Sequence, residues 1–318
     1  MKKFTLAGTA VAVAALLAAC SGTGQETADA EDRDLTYAVI THSSPGDAFW
    51  DRVKSGAEQA GEDYDVTVNY SNDPDPARQS QLIDGAVADG VDGIVVSMAN
   101  PDGLEEAVKR AVAEGVPVVS INSGIDRWQE FGALTHIGQS ETVAGEAVGE
   151  RLSEEGKTKA ICVVQEAGNV GLEERCSAAA GTFDGEMENL QVDGTDDNAV
   201  TSTITSKLQA ESDIDVVLTL GGQYAVAAVS AVDQAGSEAE VATFDLSADV
   251  VQAIEDGTIL FAVDQQPYVQ GFLGVTTLFL KDTNGNDVGG GQPINSGPAF
   301  VTEENAADVA TFAANGTR

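Results

Sequence analysis

The residues with metal-binding or catalytic potential are few, and their spacing does not complete a site. Asp282, Asn284 and Asn286 place side-chain oxygens at positions one, three and five of a calcium-binding loop. Position six is Asp287, where that loop needs glycine, and position twelve is Pro293, where it needs a bidentate glutamate. A turn rich in glycine and asparagine is therefore the favoured interpretation.

A glycine run and two histidines are the other candidates for chemistry. Gly289–Gly291 follows a predicted helix and does not join a strand to a helix, so it cannot cradle a phosphate at a helix N-terminus. The two histidines lack metal-ligand spacing, and no nucleophile elbow, HExxH cluster or carboxylate pair stands out. We therefore predict no enzyme activity, no bound metal and no cofactor.

The first twenty residues predict export and lipid anchoring. Two lysines precede an apolar run over 4–19, which ends in Leu-Ala-Ala before Cys20. A basic start and a short apolar run are typical of a signal peptide, and the final four residues match the bacterial lipobox, whose cysteine receives a diacylglyceryl group. We predict a signal peptide at 1–19 and an acylated Cys20 that begins a flexible tether over 20–34. An ordinary signal peptide that happens to contain a cysteine is the alternative.

The charge of the chain limits its partners. There are 52 acidic and 16 basic residues, which gives a formal net charge of -36. Such a surface repels nucleic acid and anionic lipid, so a DNA-binding role is excluded. A neutral ligand fits this charge better than an anionic one, although adaptation to salt produces the same composition.

Two cysteines remain once Cys20 is acylated. They are Cys162 and Cys176, which lie fourteen positions apart. An even pair in an exported chain is usually bridged, and a loop of that length would stabilise the fold by about 3 kcal/mol. We favour a disulfide over two buried thiols.

Short runs rich in β-branched residues alternate with amphipathic stretches from Leu35 onward. Most of the runs are almost continuously apolar, which is typical of strands covered on both faces. Among the helices between them is Leu172–Met187. The predicted strands are Thr36–Thr41, Val66–Tyr70, Gly93–Met98, Pro117–Asn122, Ala160–Gln165, Val216–Leu220, Val241–Phe244 and Leu260–Asp264, with a further extended run over Gly132–Gly138.

This alternation predicts an α/β fold of two doubly wound parallel-sheet lobes joined by a multi-strand hinge. We expect residues 35–138 and 266–292 to form the N-terminal lobe, and residues 139–265 and 293–318 to form the C-terminal lobe. Ligands of open parallel sheets bind at the carboxyl ends of the strands. A ligand should therefore lie between the lobes, with hinge closure over it.

A series of motifs in this order resembles the periplasmic sugar-binding proteins of the ribose-binding type, whose fold is shared by the ligand domain of lac-repressor-like regulators. The resemblance extends from Leu35 to the C-terminus. The motifs are SPGDAFW, DPARQSQLIDGAVADGVDGIVVS, VPVVSIN, AGNVGLEERC, VVLTLGG, TFDLSAD and DQQPYVQG.

The resemblance implies that aromatic rings sandwich a sugar while polar side chains bond its hydroxyls. Phe49 and Trp50 would be the first-lobe aromatics, next to a hydroxyl-binding Asp47; alternatively, the two rings only staple the first helix to the sheet. Asn122 and Ser123 stand where ribose binders carry an Asp-Arg pair. Since a charged clamp is replaced by neutral groups, the ligand is expected to differ from ribose.

The remaining candidate ligand residues follow the same motifs or end predicted strands. Arg175 matches the family's ligand-binding arginine, Asp245 its cleft aspartate and Gln265 a glutamine beside the hinge. Where the family often has asparagine, Gly221-Gly222 stand; Gln223 is expected to substitute, with the absence of this contact as the alternative. His42 ends the first strand, with a structural role as the alternative, and the loop before Arg175 supplies Glu166 and Asn169.

We therefore expect an extracytoplasmic, monomeric receptor that is lipid-anchored to the cell membrane. It would bind a neutral sugar or cyclic polyol and deliver it to the permease of an ABC importer. One rival is a receptor for an autoinducer-type furanone, because VSMANPDGLEEAVKRAVAEGV also resembles that branch. A transcriptional regulator is opposed by the lipobox and the negative charge. A secreted α/β hydrolase would show turnover that depends on a cleft acid such as Asp245.

Overall fold

The computed structural model describes residues 34–44 and 46–318. Cys20, the predicted signal peptide and all but the last residue of the predicted tether lie outside the described residues. Among the helices of the described part, none is long and apolar enough to cross a membrane.

The first lobe is a six-stranded, wholly parallel sheet in the order β11-β5-β4-β3-β1-β2. Its elements are β1 (Thr36–Thr41), α1 (Ala48–Tyr64), β2 (Thr67–Asn72), α2 (Pro76–Ala88), β3 (Gly93–Ser97), α3 (Pro101–Ala113), β4 (Val118–Ile121), α4 (Trp128–Phe131), β5 (His136–Gly138), α10 (Pro267–Asn284) and β11 (Ile294–Asn295).

The second lobe is a six-stranded sheet in the order β12-β10-β9-β8-β6-β7, parallel except where β12 runs antiparallel to β10. Its elements are α5 (Glu141–Glu154), β6 (Lys159–Val164), α6 (Val170–Thr182), β7 (Glu186–Gln191), α7 (Asp197–Ala210), β8 (Val216–Thr219), α8 (Gly222–Ala235), β9 (Glu240–Phe244), α9 (Ala248–Glu255), β10 (Ile259–Asp264), β12 (Ala299–Thr302) and α11 (Ala306–Ala314).

The predicted α/β architecture of two parallel-sheet lobes is confirmed, with three corrections in detail. The helix predicted over Leu172–Met187 is too long, since α6 ends at Thr182 and Glu186–Gln191 forms the edge strand β7. That strand is largely exposed and therefore lacks the apolar run that marks the buried strands. Residues after Asn295 add the unpredicted β12 and α11. Ile294–Asn295, which were expected in the second lobe, pair with β5 in the first.

Alternating side chains of each sheet build an apolar core on both of its faces. In the first lobe, Ile40 and Val96 pack towards α2 and α3, whereas Val39 and Val95 pack towards α1 and α10. The second sheet is covered in the same way on both faces. Every residue of a central strand such as GIVVS is therefore buried, because helices cover both faces of the sheet.

Polar side chains cap the helices that start beside the cleft. Each accepts a hydrogen bond from a free N–H of the first turn, which defines where the helix begins. Among the described helices, these side-chain caps are Asp47, Asp75, Asn100, Ser140, Asn169, Asp196 and Ser247.

The helix α10 returns to the first lobe and packs directly on α1. Gly56 and Gly271 lie at this crossing, where a methyl group on either residue would overlap the backbone carbonyl of the other helix. The close approach anchors α10 next to the segment through which the chain leaves β10. The chain crosses between the lobes three times within the described residues. The first crossing lies between β5 and α5, the second between β10 and α10, and the third between β11 and β12.

Candidate functional site

A cavity between the lobes lies at the carboxyl ends of the parallel strands, as the topology requires. It brings together side chains from β1, α1, β4, β6, α6, α8, β9 and β10. All twelve candidate ligand residues line it: His42, Asp47, Phe49, Trp50, Asn122, Ser123, Glu166, Asn169, Arg175, Gln223, Asp245 and Gln265.

The first-lobe wall is built around two aromatic rings at the start of α1. Trp50 is buried at 5% exposure and packs in the apolar cluster with Val53, whereas Phe49 is half-buried. Their ring centroids lie 5.0 Å apart in an edge-to-face arrangement. Trp50 therefore belongs to the core of the lobe, as the staple alternative expects, while it also borders the cavity beside Phe49.

His42 stands against the Trp50 ring and is neutral. Its Nδ1 is 2.7 Å from the Ser97 hydroxyl, and its Nε2 is 3.9 Å from Glu166 of the second lobe. Burial, with the nearby Arg175 charge, lowers the pKa of His42 to about 3. The ring thus fills the end of the cleft as an uncharged donor or acceptor.

Asp47 caps α1 and contributes a carboxyl group to the same wall. Its Oδ1 accepts a hydrogen bond of 2.9 Å from the Phe49 amide. Burial raises the pKa of Asp47 to about 6, since the amide hydrogen bond only partly offsets desolvation and the charge of Glu166 adds to it.

On the second-lobe wall, Asn169 caps α6 through its Oδ1, which accepts from Gly171 N–H at 3.1 Å. Its Nδ2 donates to Glu166 at 2.7 Å and so orients that carboxyl group. Burial raises the pKa of Glu166, against the opposing effects of Asn169 and Arg175.

Arg175 reaches the cavity from α6 and is almost fully buried. Its Nη2 donates to Oε1 of Glu141 at 2.9 Å, and its Nε also bonds that carboxylate. Burial opposes the charge of Arg175, but the carboxylates of Glu141, Asp245 and Glu166 together outweigh it and raise the pKa of the guanidinium. The disulfide between Cys162 and Cys176 joins β6 to α6 beside it, with 5.9 Å between the Cα atoms.

A hydrogen-bonded chain crosses the floor of the cleft. Asn122 Nδ2 donates to Gln265 Oε1 at 3.1 Å, and Gln265 Nε2 donates to Asp245 Oδ1 at 2.7 Å. Ser123 completes it by donating to Asn122 Oδ1 at 2.9 Å. Burial raises the pKa of Asp245 to about 7, with Arg175 and Gln265 acting in the opposite direction.

Residues with a left-handed backbone conformation are also concentrated at this floor. Four non-glycine residues of the described part have positive φ, and three are at the cleft or the hinge: Asn122 at 61°, Asp245 at 69° and Gln266 at 53°. The left-handed region costs about 1–2 kcal/mol per residue for most side chains. Such strain tends to persist where it aims a side chain.

Sequence reasoning missed several lining residues. Gln165 follows β6 beside Glu166, and its Oε1 is buried without a hydrogen-bond partner among the described residues. Tyr224 follows Gln223 in α8 and donates to the carbonyl of Gly194 at 3.1 Å. Both could have been found, since they adjoin predicted residues at strand or helix ends. Glu141, which supports the second-lobe wall through Arg175 and is not part of the lining, could not have been found, because its contact with Arg175 spans 34 positions of sequence.

The arrangement offers rings on one wall, and amide and carboxyl groups at the other wall and the floor. It can hold a small ring compound whose C–H faces are apolar and whose hydroxyls need both donors and acceptors. Within the described residues, no group of three or more His, Cys, Asp or Glu side chains could hold a metal ion.

Comparisons with solved structures place this chain among transport proteins. It superposes with a TM-score of 0.89 on a carbohydrate transporter from Acidothermus cellulolyticus 11B in complex with myo-inositol, at 48% identity over 90% of this chain and 100% of that one. An ABC transporter solute-binding protein from Burkholderia graminis in complex with D-arabinose, at 23% identity and a TM-score of 0.76, covers 86% of this chain and 96% of its own. The latter shows the shared fold.

The sequence comparisons agree. The ribose import binding protein RbsB of Haemophilus influenzae is 24% identical over 284 residues, which is 87% of this chain and 92% of that protein. Residues 37–281 match the family model described as a periplasmic binding protein domain. The chain therefore belongs to the periplasmic binding protein domain family.

Proposed function

We propose that this chain is an extracytoplasmic solute-binding lipoprotein that binds a neutral cyclic polyol or monosaccharide in its cleft. It delivers this ligand to the permease of an ABC importer. The family to which the chain belongs and the residues of the two cleft walls support this proposal.

The observation that carries the proposal is the convergence of the twelve predicted residues on one cavity. Phe49 and Trp50 offer apolar ring surface, while Asn122, Asp245 and Gln265 offer donors and acceptors that are already linked to one another. A preorganised set of this kind avoids the entropic cost of ordering side chains on binding.

Myo-inositol is the first candidate ligand. The carbohydrate transporter at 48% identity is in complex with it, and a neutral cyclitol presents hydroxyls around its whole rim. Asn122 and Ser123 supply only neutral groups, where a ribose binder would supply a charged pair. We therefore rank cyclic polyols above pentoses.

Thermal unfolding with graded ligand concentrations tests the proposal. A specific ligand stabilises by RT ln(1 + [L]/Kd), about 2.7 kcal/mol at a hundredfold excess over Kd. We expect the melting temperature to rise with myo-inositol and to be unaffected by it in an Asp245→Ala variant, with the exposed Asp249→Ala as the matched control. A rise with an autoinducer-type furanone and with no polyol or sugar would contradict the proposal.

The lipid anchor belongs to the same proposal. We expect the mature chain in its own cells to begin at an acylated Cys20 and to sediment with membranes. A Cys20→Ala variant should lose both the acyl mass and the membrane association. Retention of the unmodified Cys20 in an exported soluble chain would instead support the ordinary signal peptide.

A further inference from the structure

A buried ion pair supports the second-lobe wall of the cleft. Its side chains are 4% exposed at Arg175 and 2% at Glu141. Two nitrogens of the guanidinium bond the two carboxylate oxygens, which is the bidentate geometry of strong Arg–carboxylate pairs. Removing an ion pair from water is costly, so its presence beside a ligand cavity needs a reason beyond stability.

The guanidinium of Arg175 is also held by an aromatic ring. Its central carbon lies 4.9 Å from the centre of the Phe244 ring, which packs on the guanidinium face. Nε and Nη2 are taken by Glu141, whereas Nη1 makes no hydrogen bond to the part of the chain that the structure describes. Since Arg175 lines the cavity, Nη1 is the nitrogen left to meet a ligand.

Glu141 is itself held firmly at the first hinge crossing. Gln139 Nε2 donates to its Oε2 at 3.0 Å, and Ser140 caps the helix that Glu141 begins. The third crossing packs on the same spot, because a methyl group at Gly297 would lie 3.2 Å from Gln139 Oε1. A movement of the carboxylate away from Arg175 would therefore also break its hydrogen bond to Gln139 of the hinge.

The other charged side chains of the cavity determine how the ion pair of Arg175 and Glu141 affects ligand binding. Asp47, Glu166 and Asp245 are acidic, and the only other cation in the lining is Arg52, whose donors go to the carbonyls of Ala48 and Arg318. Glu166 and Asp245 also act on the charge of Arg175, but Glu141 is the carboxylate that bonds two of its nitrogens. If Glu141 were neutral, the charge of Arg175 would be offset less, and in a poorly solvated cleft it would attract an anionic ligand more strongly.

We propose that Glu141 is a specificity-determining and positioning residue, which cancels the charge of Arg175 so that the cleft accepts uncharged rings and rejects sugar acids. This inference rests on the proposed function, since it concerns which members of the polyol and sugar class can enter. Glu141 acts through Arg175 and does not itself need to contact the ligand.

Isothermal titration of Glu141→Gln tests the inference with myo-inositol, D-glucuronate and D-galacturonate. Glutamine keeps the size and one acceptor, but it removes the charge. We expect myo-inositol to bind about tenfold more weakly and the ratio of sugar-acid to myo-inositol affinity to rise at least about tenfold. Glu141→Asp, which retains the charge, should keep the wild-type ratio even if its overall affinity falls.

Glu174→Gln is the matched control, because this half-buried glutamate lies on the same helix as Arg175 and bonds Thr142 instead. Its ratio should equal that of the wild type. A Glu141→Gln/Arg175→Gln double variant should bind no sugar acid, since the released charge is gone. An unchanged ratio in folded Glu141→Gln would overturn the inference.

Two other outcomes remain decisive. If Glu141→Gln does not fold, as judged by circular dichroism, Glu141→Ser carries the same test with more room for water around the guanidinium. If the wild type binds no neutral ring, the proposed function fails on its own. Sugar-acid binding by Glu141→Gln but not by the wild type would then still support the charge cancellation, and its absence would refute it.

Discussion

The two walls of the cleft are supported by different kinds of interaction. The first-lobe wall is continuous with an apolar core, in which Trp50 packs beside Val53 while α10 lies tightly on α1 at Gly56 and Gly271. The second-lobe wall is tied by a disulfide and by the buried pair of Arg175 and Glu141. Apolar packing suits a surface that meets ring faces, whereas fixed charges and amides suit a surface that meets hydroxyls.

The largest effect should follow from breaking the charged wall at Arg175. Arg175→Ala leaves Glu141 buried without its cation, which costs about 3–5 kcal/mol in the free energy of unfolding. Urea denaturation measures this loss. Arg151→Ala, which removes a partly exposed pair with Glu155 on α5, is the control and should cost less than about 1 kcal/mol. Equal losses in the two variants would contradict the role given to the buried pair.

The contributions of the two rings to stability and to ligand affinity can be separated by truncating each ring in turn. Trp50→Ala should lower the free energy of unfolding by about 3–5 kcal/mol, because it opens a cavity in the core. Phe49→Ala should lose much less stability but more ligand affinity, since its ring is half-buried at the cavity. Urea denaturation and titration with myo-inositol separate the two effects. Unchanged affinity in Phe49→Ala would leave Phe49 with the structural role alone.

The disulfide should stabilise the second lobe by about 3 kcal/mol, given the fourteen positions between its cysteines. We expect the Cys162→Ala/Cys176→Ala variant to lose that much and to lose hydrogen-exchange protection in β6 and α6. Protection in β1 and β3 of the first lobe provides the internal control. Losses spread evenly over both lobes would argue against a local tie.

A further effect concerns pH and the floor of the cleft. Because burial raises the pKa of Asp245 to about 7, the folded chain holds a proton there that the unfolded chain releases near pH 4. Stability from this group is present at low pH and is lost as the pH rises towards 7.

Asp245→Asn removes this dependence. Its stability relative to the wild type should therefore increase between pH 4 and pH 7, on the order of 1 kcal/mol for each unit of pKa shift. Urea denaturation at pH 4.5, 6 and 8 measures the difference, with the exposed Asp249→Asn as the control. Since the difference is taken between variants, the opposite contributions of the neutral His42 and His136 cancel. A constant difference across these pH values would contradict a protonated Asp245.

Much of the fold could be predicted, because buried parallel strands carry a local signal. Runs such as those of β3 and β8 are mostly apolar and are buried at every position, and turn residues bound them. The exposed edge strand β7 carries no such signal, and residues of the antiparallel β12 depend on pairing with β10. Those elements are determined by neighbours that are distant in sequence.

For the cleft, the sequence by itself determined which polar and aromatic residues end strands or begin helices. The topology of a parallel sheet then requires these ends to meet, which is why residues as far apart as His42 and Gln265 line one cavity. Only the tertiary structure decided the state of their charges. The partner of Arg175, the neutral ring of His42 and the link from Asn122 through Gln265 to Asp245 all arise from contacts across long stretches of sequence. Burial and charge pairing depend on three-dimensional proximity, which no local pattern of residues records.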